Sequence, residues 1–170
     1  MSKFAGTRFI AFVIVMSALT NVLGLLIIPV GPFTFHLVQL PIVFSGLGAG
    51  AVSGGIVGLL GTFVMAFALA KPNPYLIGGN AILGFLTGAL YRKMRKMSGR
   101  SILPQVLSVF FAYLLQMPYV YVTDVYLMGM PSPIVVAILG LLLVEDLTSV
   151  LLSHMILYRI DVTALLSRSK

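Results

Sequence analysis

Long apolar runs, cut by short clusters of Pro, Gly and charged residues, set the pattern of the chain. Six runs long enough to be membrane segments can be marked, at residues 9–28, 36–48, 53–70, 75–91, 102–125 and 134–158. Pro29, Gly31 and Pro32 end the first run, leaving Ile28–His36 as a short aromatic loop. Lys71-Pro72-Asn73-Pro74 makes a turn, and Arg92–Lys96 with Arg100 forms a basic loop closed by Gly99 and Pro104. Met128–Pro133 separates the last two runs. Gly46, Gly50, Gly54 and Gly58 recur four apart, the spacing that lets helix backbones approach closely in lipid. The same glycines are compatible with a tight turn around Gly48–Ser53. The first run is longer than the h-region of a secretory signal, and more runs follow it, so it is read as a retained helix. The pattern predicts an all-α, polytopic membrane protein: one domain over residues 1–170, a bundle of six transmembrane helices.

Charge sharpens this reading. From Phe9 to Ala70 there is no Lys, Arg, Asp or Glu, which no soluble surface tolerates. A soluble enzyme, a secreted scaffold and a disordered regulator are excluded. The net charge of +7 comes from 11 basic and 4 acidic residues, and the basic ones stand at the ends of apolar runs rather than in a nucleic-acid-binding patch. With both termini in the cytoplasm, ten of them fall inside and only Lys71 outside. The absence of Cys removes disulfides, thiolate chemistry and sulfur-ligated metals.

An acid within the bilayer costs about 2.5–3.5 kcal/mol on insertion scales and marks a functional candidate. Asp124, Glu145 and Asp146 are the three such acids. Glu145 lies eleven residues into the sixth run, roughly 17 Å at 1.5 Å per residue, near mid-membrane. Tyr113, Gln116, Val120 and Asp124 fall on one helix face, with Pro118 expected to bend it. Asp146, Ser149 and Ser153 form a second stripe. Two readings compete: a polar pocket between helices five and six that opens outward, or a hydrogen-bond cluster that holds the bundle together. Asn80 either reaches the same cavity or bonds a neighbouring helix. His36, beside Phe33 and Phe35, suits a lid, with an interfacial histidine as the bland alternative. His154 reads as structural, and the two histidines are too far apart in depth to share a metal. No Gly-Lys-Ser/Thr phosphate loop, no Gly-x-Ser-x-Gly elbow and no internal repeat is found.

The stretch from Ile28-Pro29-Val30-Gly31-Pro32-Phe33-Thr34-Phe35-His36 to Leu40-Pro41 leads into the glycine-rich Gly46–Gly58 and resembles the S component of energy-coupling factor (ECF) importers. Gly79–Arg92, with Gly84 and Gly88 ahead of the basic loop, is similar to that family's fourth helix. The resemblance implies a substrate-binding subunit in a prokaryotic plasma membrane. It would take up a vitamin or other micronutrient near the outer face and deliver it through a transmembrane coupling subunit driven by two ATPase subunits. It implies no catalysis and no cofactor. The family docks through Ala-x-x-x-Ala on its first helix; here the nearest small residues are Ala11, Ser17, Ala18, Asn21 and Gly24, with no strict repeat.

On this reading His36, Asn80, Tyr113, Gln116, Asp124, Glu145 and Asp146 are the expected substrate-binding residues, and Phe33, Tyr75, Tyr113, Tyr119 and Tyr121 could stack on a ring. Acids without a basic neighbour disfavour folate or pantothenate and favour a neutral or cationic heterocycle such as riboflavin or a thiamin- or pyridoxine-like compound. A stand-alone or proton-coupled carrier is the alternative. An intramembrane enzyme using Glu145 and Asp146 is a third reading.

Overall fold

The computed structural model describes residues 6–31, 33–68, 72–98, 101–160 and 162–167. Lys3, Lys71, Arg100, Arg168 and Lys170, which enter the charge count above, lie outside the described residues.

Helix α1 (Thr7–Leu25) buries Val13, Ser17, Thr20 and Gly24, one face at steps of four, three and four, and leaves Ile10, Ile14, Val15 and Val22 exposed. An antiparallel hairpin follows, where a short aromatic loop was expected in an all-α chain. Its strands β1 (Ile28–Val30) and β2 (Phe33–Phe35) pair Ile28 with Phe35 and Val30 with Phe33. Gly31 carries the positive φ (59°) that so short a connection demands.

Helix α2 (Gln39–Ala49) is the hub. All of it except Leu40 is buried, and it packs against α1 and the later helices Ala51–Gly61, Tyr75–Ser98 and Ser132–Arg159. It begins three residues later than the apolar run suggests, because His36–Val38 pass from the hairpin into the helix. Gly50, at φ 95°, makes the tight turn into α3 (Ala51–Gly61). The third run is not one helix. It breaks at Thr62 and resumes as α4 (Phe63–Ala68). Asn21 of α1 serves the break: its amide nitrogen donates to the Leu60 carbonyl at 3.1 Å and its oxygen accepts the Val64 N–H at 3.0 Å. These are backbone groups that lipid could not satisfy.

Helix α5 (Tyr75–Ser98) lies against α3 in the most extensive helix contact of the fold. A Cβ on Gly84 would strike the Gly54 carbonyl, and one on Gly58 would strike that of Asn80. The glycine spacing is thus a helix-packing device, apart from Gly50. Helix α6 (Leu103–Val122) contains Pro118 and widens into a π-turn at Thr123–Leu127. A long α7 (Ser132–Arg159) and a short α8 (Val162–Ser167) complete the chain. Thr7–Leu25, Leu103–Leu127 and Ser132–Arg159 are each long and apolar enough to cross a membrane, and α2 and α3–α4 are shorter apolar helices. The chain has the build of a helical membrane protein.

Candidate functional site

The irregular elements meet at one end of the bundle. The hairpin, the start of α2, Met65 of α4, the start of α5, the end of α6 with its π-turn, and the first half of α7 enclose a cavity of about 410 Å³. That is within the range of small-molecule sites. Its apolar wall includes Phe33, Val38, Leu76, Ile134, Ile138 and Leu142, with Met65, Met128 and Met130 as adaptable surfaces. Its polar groups converge from five elements, and no Lys or Arg lines it among the described residues.

Glu145 is 3% exposed, and its Oε1 accepts the backbone N–H of His36 at 2.7 Å. That bond fastens the hairpin–α2 junction to α7. The His36 ring is turned back on β2, with Nε2 3.0 Å from the Thr34 hydroxyl, while Nδ1 makes no hydrogen bond among the described residues.

Asp124 sits in the π-turn, a distortion that recurs at functional sites. Its Oδ1 accepts the Asn73 amide at 2.9 Å, while Asn73 Oδ1 caps α5 by accepting the Tyr75 N–H at 3.1 Å. Asn73 thus ties the start of α5 to the end of α6. Gln39 donates its amide to Asn80 Oδ1 at 3.1 Å, joining α2 to α5 across the cavity wall. Gln116 lines the cavity and has no hydrogen-bond partner among the described residues.

Five of the seven residues expected at the site line the cavity: His36, Asn80, Gln116, Asp124 and Glu145. Tyr113 and Asp146 do not, which corrects their placement. Tyr113 is buried between α6 and α7, its hydroxyl donating to the Leu139 carbonyl at 2.8 Å. Asp146 points into the packed core, 1% exposed, and neither of its oxygens has a hydrogen-bond partner among the described residues. Adjacent positions on a helix point about 100° apart, and on α7 the rotation turns Glu145 to the cavity and Asp146 into the core. Of the expected stacking residues, Phe33 and Tyr75 line the cavity. Tyr119 instead donates to the Tyr75 carbonyl at 3.3 Å, and Tyr121 pairs with Ser132 at 2.8 Å. His154 bonds Gln105 at 3.2 Å and does not line the cavity.

Gln39, Asn73 and Thr123 also line the cavity and were not singled out from the sequence. Asn73 carried a usable signal: an Asn immediately before a Pro that opens an apolar run is a helix N-cap pattern.

No protein-family model matches the sequence. No curated protein matches it either. Among solved structures, the fold is that of the S component of a bacterial ECF transporter. The similarity has a TM-score of 0.65 and covers 95% of this chain and 98% of that one, at 19% sequence identity. What the two share is the fold, and the resemblance read from residues 28–58 and 79–92 agrees with it. The chain is a helical membrane protein of transporter S-component architecture.

Proposed function

We propose that the chain is the substrate-binding subunit of an ECF-type importer. It would capture a vitamin or related micronutrient from outside the cell and pass it inward together with a coupling subunit and two ATPase subunits. The observation that carries this reading is the cavity itself. It holds two carboxylates and several amides and hydroxyls, it is shaped by breaks in otherwise regular helices, and it sits in an S-component fold. Asp124 and Glu145 without a cationic neighbour favour a neutral or cationic heterocycle, with riboflavin or a thiamin- or pyridoxine-like ring as the substrate class. Phe33 and Tyr75 supply aromatic surface, and Asn80 and Gln116 supply hydrogen bonds. The same reading places six spans in a prokaryotic plasma membrane, with both termini and the basic end of α5 in the cytoplasm and the cavity facing outward. Mass spectrometry of small molecules that co-purify with the protein tests it. Recovery of a heterocyclic micronutrient supports the proposal, and an empty protein that binds none of the three compounds in calorimetry refutes it.

A further inference from the structure

At the far end of α5 from the cavity, a second depression of about 900 Å³ opens beside the α2–α3 turn. Asn80 and Arg92 are twelve residues apart on α5, so the two sites are separated by roughly 18 Å along that helix. Arg92 and Lys93 form one rim of this groove and Phe9, Val52 and Phe85 its walls. Arg92 and Lys93 are exposed and form no ion pair among the described residues. Val52 is 60% and Phe85 48% exposed, and both belong to apolar helix faces. A Cβ on Gly88 would strike the Ala51 backbone, so the floor is closed by direct contact of α3 and α5. None of the described carboxylates lines it.

We infer that this groove is a binding site for an anionic phospholipid. The phosphate headgroup would pair with Arg92 and Lys93, and an acyl chain would lie along Val52 and Phe85. The argument is one of complementarity. Two exposed cations, without an ion-pair partner among the described residues, stand at the end of α5 beside a bare apolar trough, and a lipid presents negative charge and hydrocarbon in that order. A free phosphate would leave the trough uncovered. The site is independent of whatever fills the outer cavity.

The test compares the purified chain in nanodiscs of phosphatidylcholine alone and in nanodiscs with a quarter of the lipid replaced by phosphatidylglycerol. The anionic lipid should raise the thermal midpoint by about 2–4 °C, the shift produced by a ligand of modest affinity that binds only the folded state. The double variant Arg92→Ala/Lys93→Ala should abolish the shift, Phe85→Ser should reduce it, and Arg159→Ala, which removes an exposed charge elsewhere, should leave it intact. Circular dichroism in phosphatidylcholine confirms that each variant is folded. An undiminished shift in the double variant overturns the proposal. So does an undiminished shift in Phe85→Ser, which would reduce the effect to diffuse surface charge. A shift reproduced by inorganic phosphate in phosphatidylcholine nanodiscs would mean an anion site without a lipid.

Discussion

Replacing Glu145 separates a carboxylate that holds the protein together from one that holds a ligand. Its Oε1 accepts the His36 N–H at 2.7 Å, with the residue 3% exposed. A hydrogen bond to a charged acceptor of this kind contributes about 1.5–3 kcal/mol, against about 1 kcal/mol for a neutral one. Glu145→Gln keeps an acceptor for His36, so the fold should lose no more than about 1–2 kcal/mol. A cationic or donor-rich ligand that uses the carboxylate loses its charge-assisted partner, worth about 1.5–3 kcal/mol, or roughly 10- to 150-fold in Kd. Glu145→Ala removes both, and amide exchange at His36 should accelerate along with the loss of affinity. The assay is isothermal titration of riboflavin, thiamin and pyridoxine into detergent-solubilised protein, with a thermal melt of each variant alongside. Normal affinity in Glu145→Gln combined with a lower melting point would show that the acid serves the hairpin alone, and the substrate reading of Glu145 would fall.

Asn73→Ala should destabilise the protein by about 2–4 kcal/mol, since it removes the cap on Tyr75 and leaves Asp124 without its amide donor, a loss visible in the thermal midpoint. Asp124→Asn should weaken binding of a cationic ligand about tenfold or more while changing stability far less, as a titration of the same three compounds would read. Gly84→Leu should prevent accumulation of folded protein, because the side chain has nowhere to go but into the Gly54 backbone; size-exclusion chromatography of the solubilised variant checks this. In intact cells, an impermeant thiol reagent should label Val30→Cys and spare Lys93→Cys, with no native Cys to interfere; the reverse pattern would invert the proposed topology.

The helical parts of the fold were legible because hydrophobic length, glycine spacing and prolines act locally. The α2–α3 turn at Gly50 and the close approach of α3 to α5 both follow from that pattern. The hairpin was not legible: Ile28-Pro29-Val30 and Phe33-Thr34-Phe35 are three-residue strands, too short for any periodicity to register. The break at Thr62 was hidden for a related reason, since nothing in Gly61-Thr62-Phe63 forbids a helix and the partner that tolerates the break, Asn21, is some forty residues away. The site was legible in proportion to how unusual its residues were. Intramembrane acids stood out, but which of two adjacent acids faces a cavity depends on helix rotation. Glu145 faces it and Asp146 does not.

Those breaks also explain why the cavity is where it is. Continuous helices satisfy their own backbone and leave no room between them; a cavity in a bundle this small needs helices that stop early, and each stop frees backbone groups that lipid cannot satisfy. Here polar side chains take up that task. Asn21 serves the α3–α4 break, Asn73 the start of α5, and Glu145 the junction after the hairpin, while Thr123 donates to carbonyls of Tyr119 and Val120 ahead of the π-turn. The bonds seen use one oxygen of Asp124 and one of Glu145, and a carboxylate has two. The same acids that hold the broken backbone can therefore each turn a second oxygen to a ligand, beside Gln116, which has no hydrogen-bond partner among the described residues. The structural reading and the binding reading of these residues are on this account not rivals: the anchoring bonds fix the acids in place, and a fixed acid binds without losing side-chain freedom at the moment of capture.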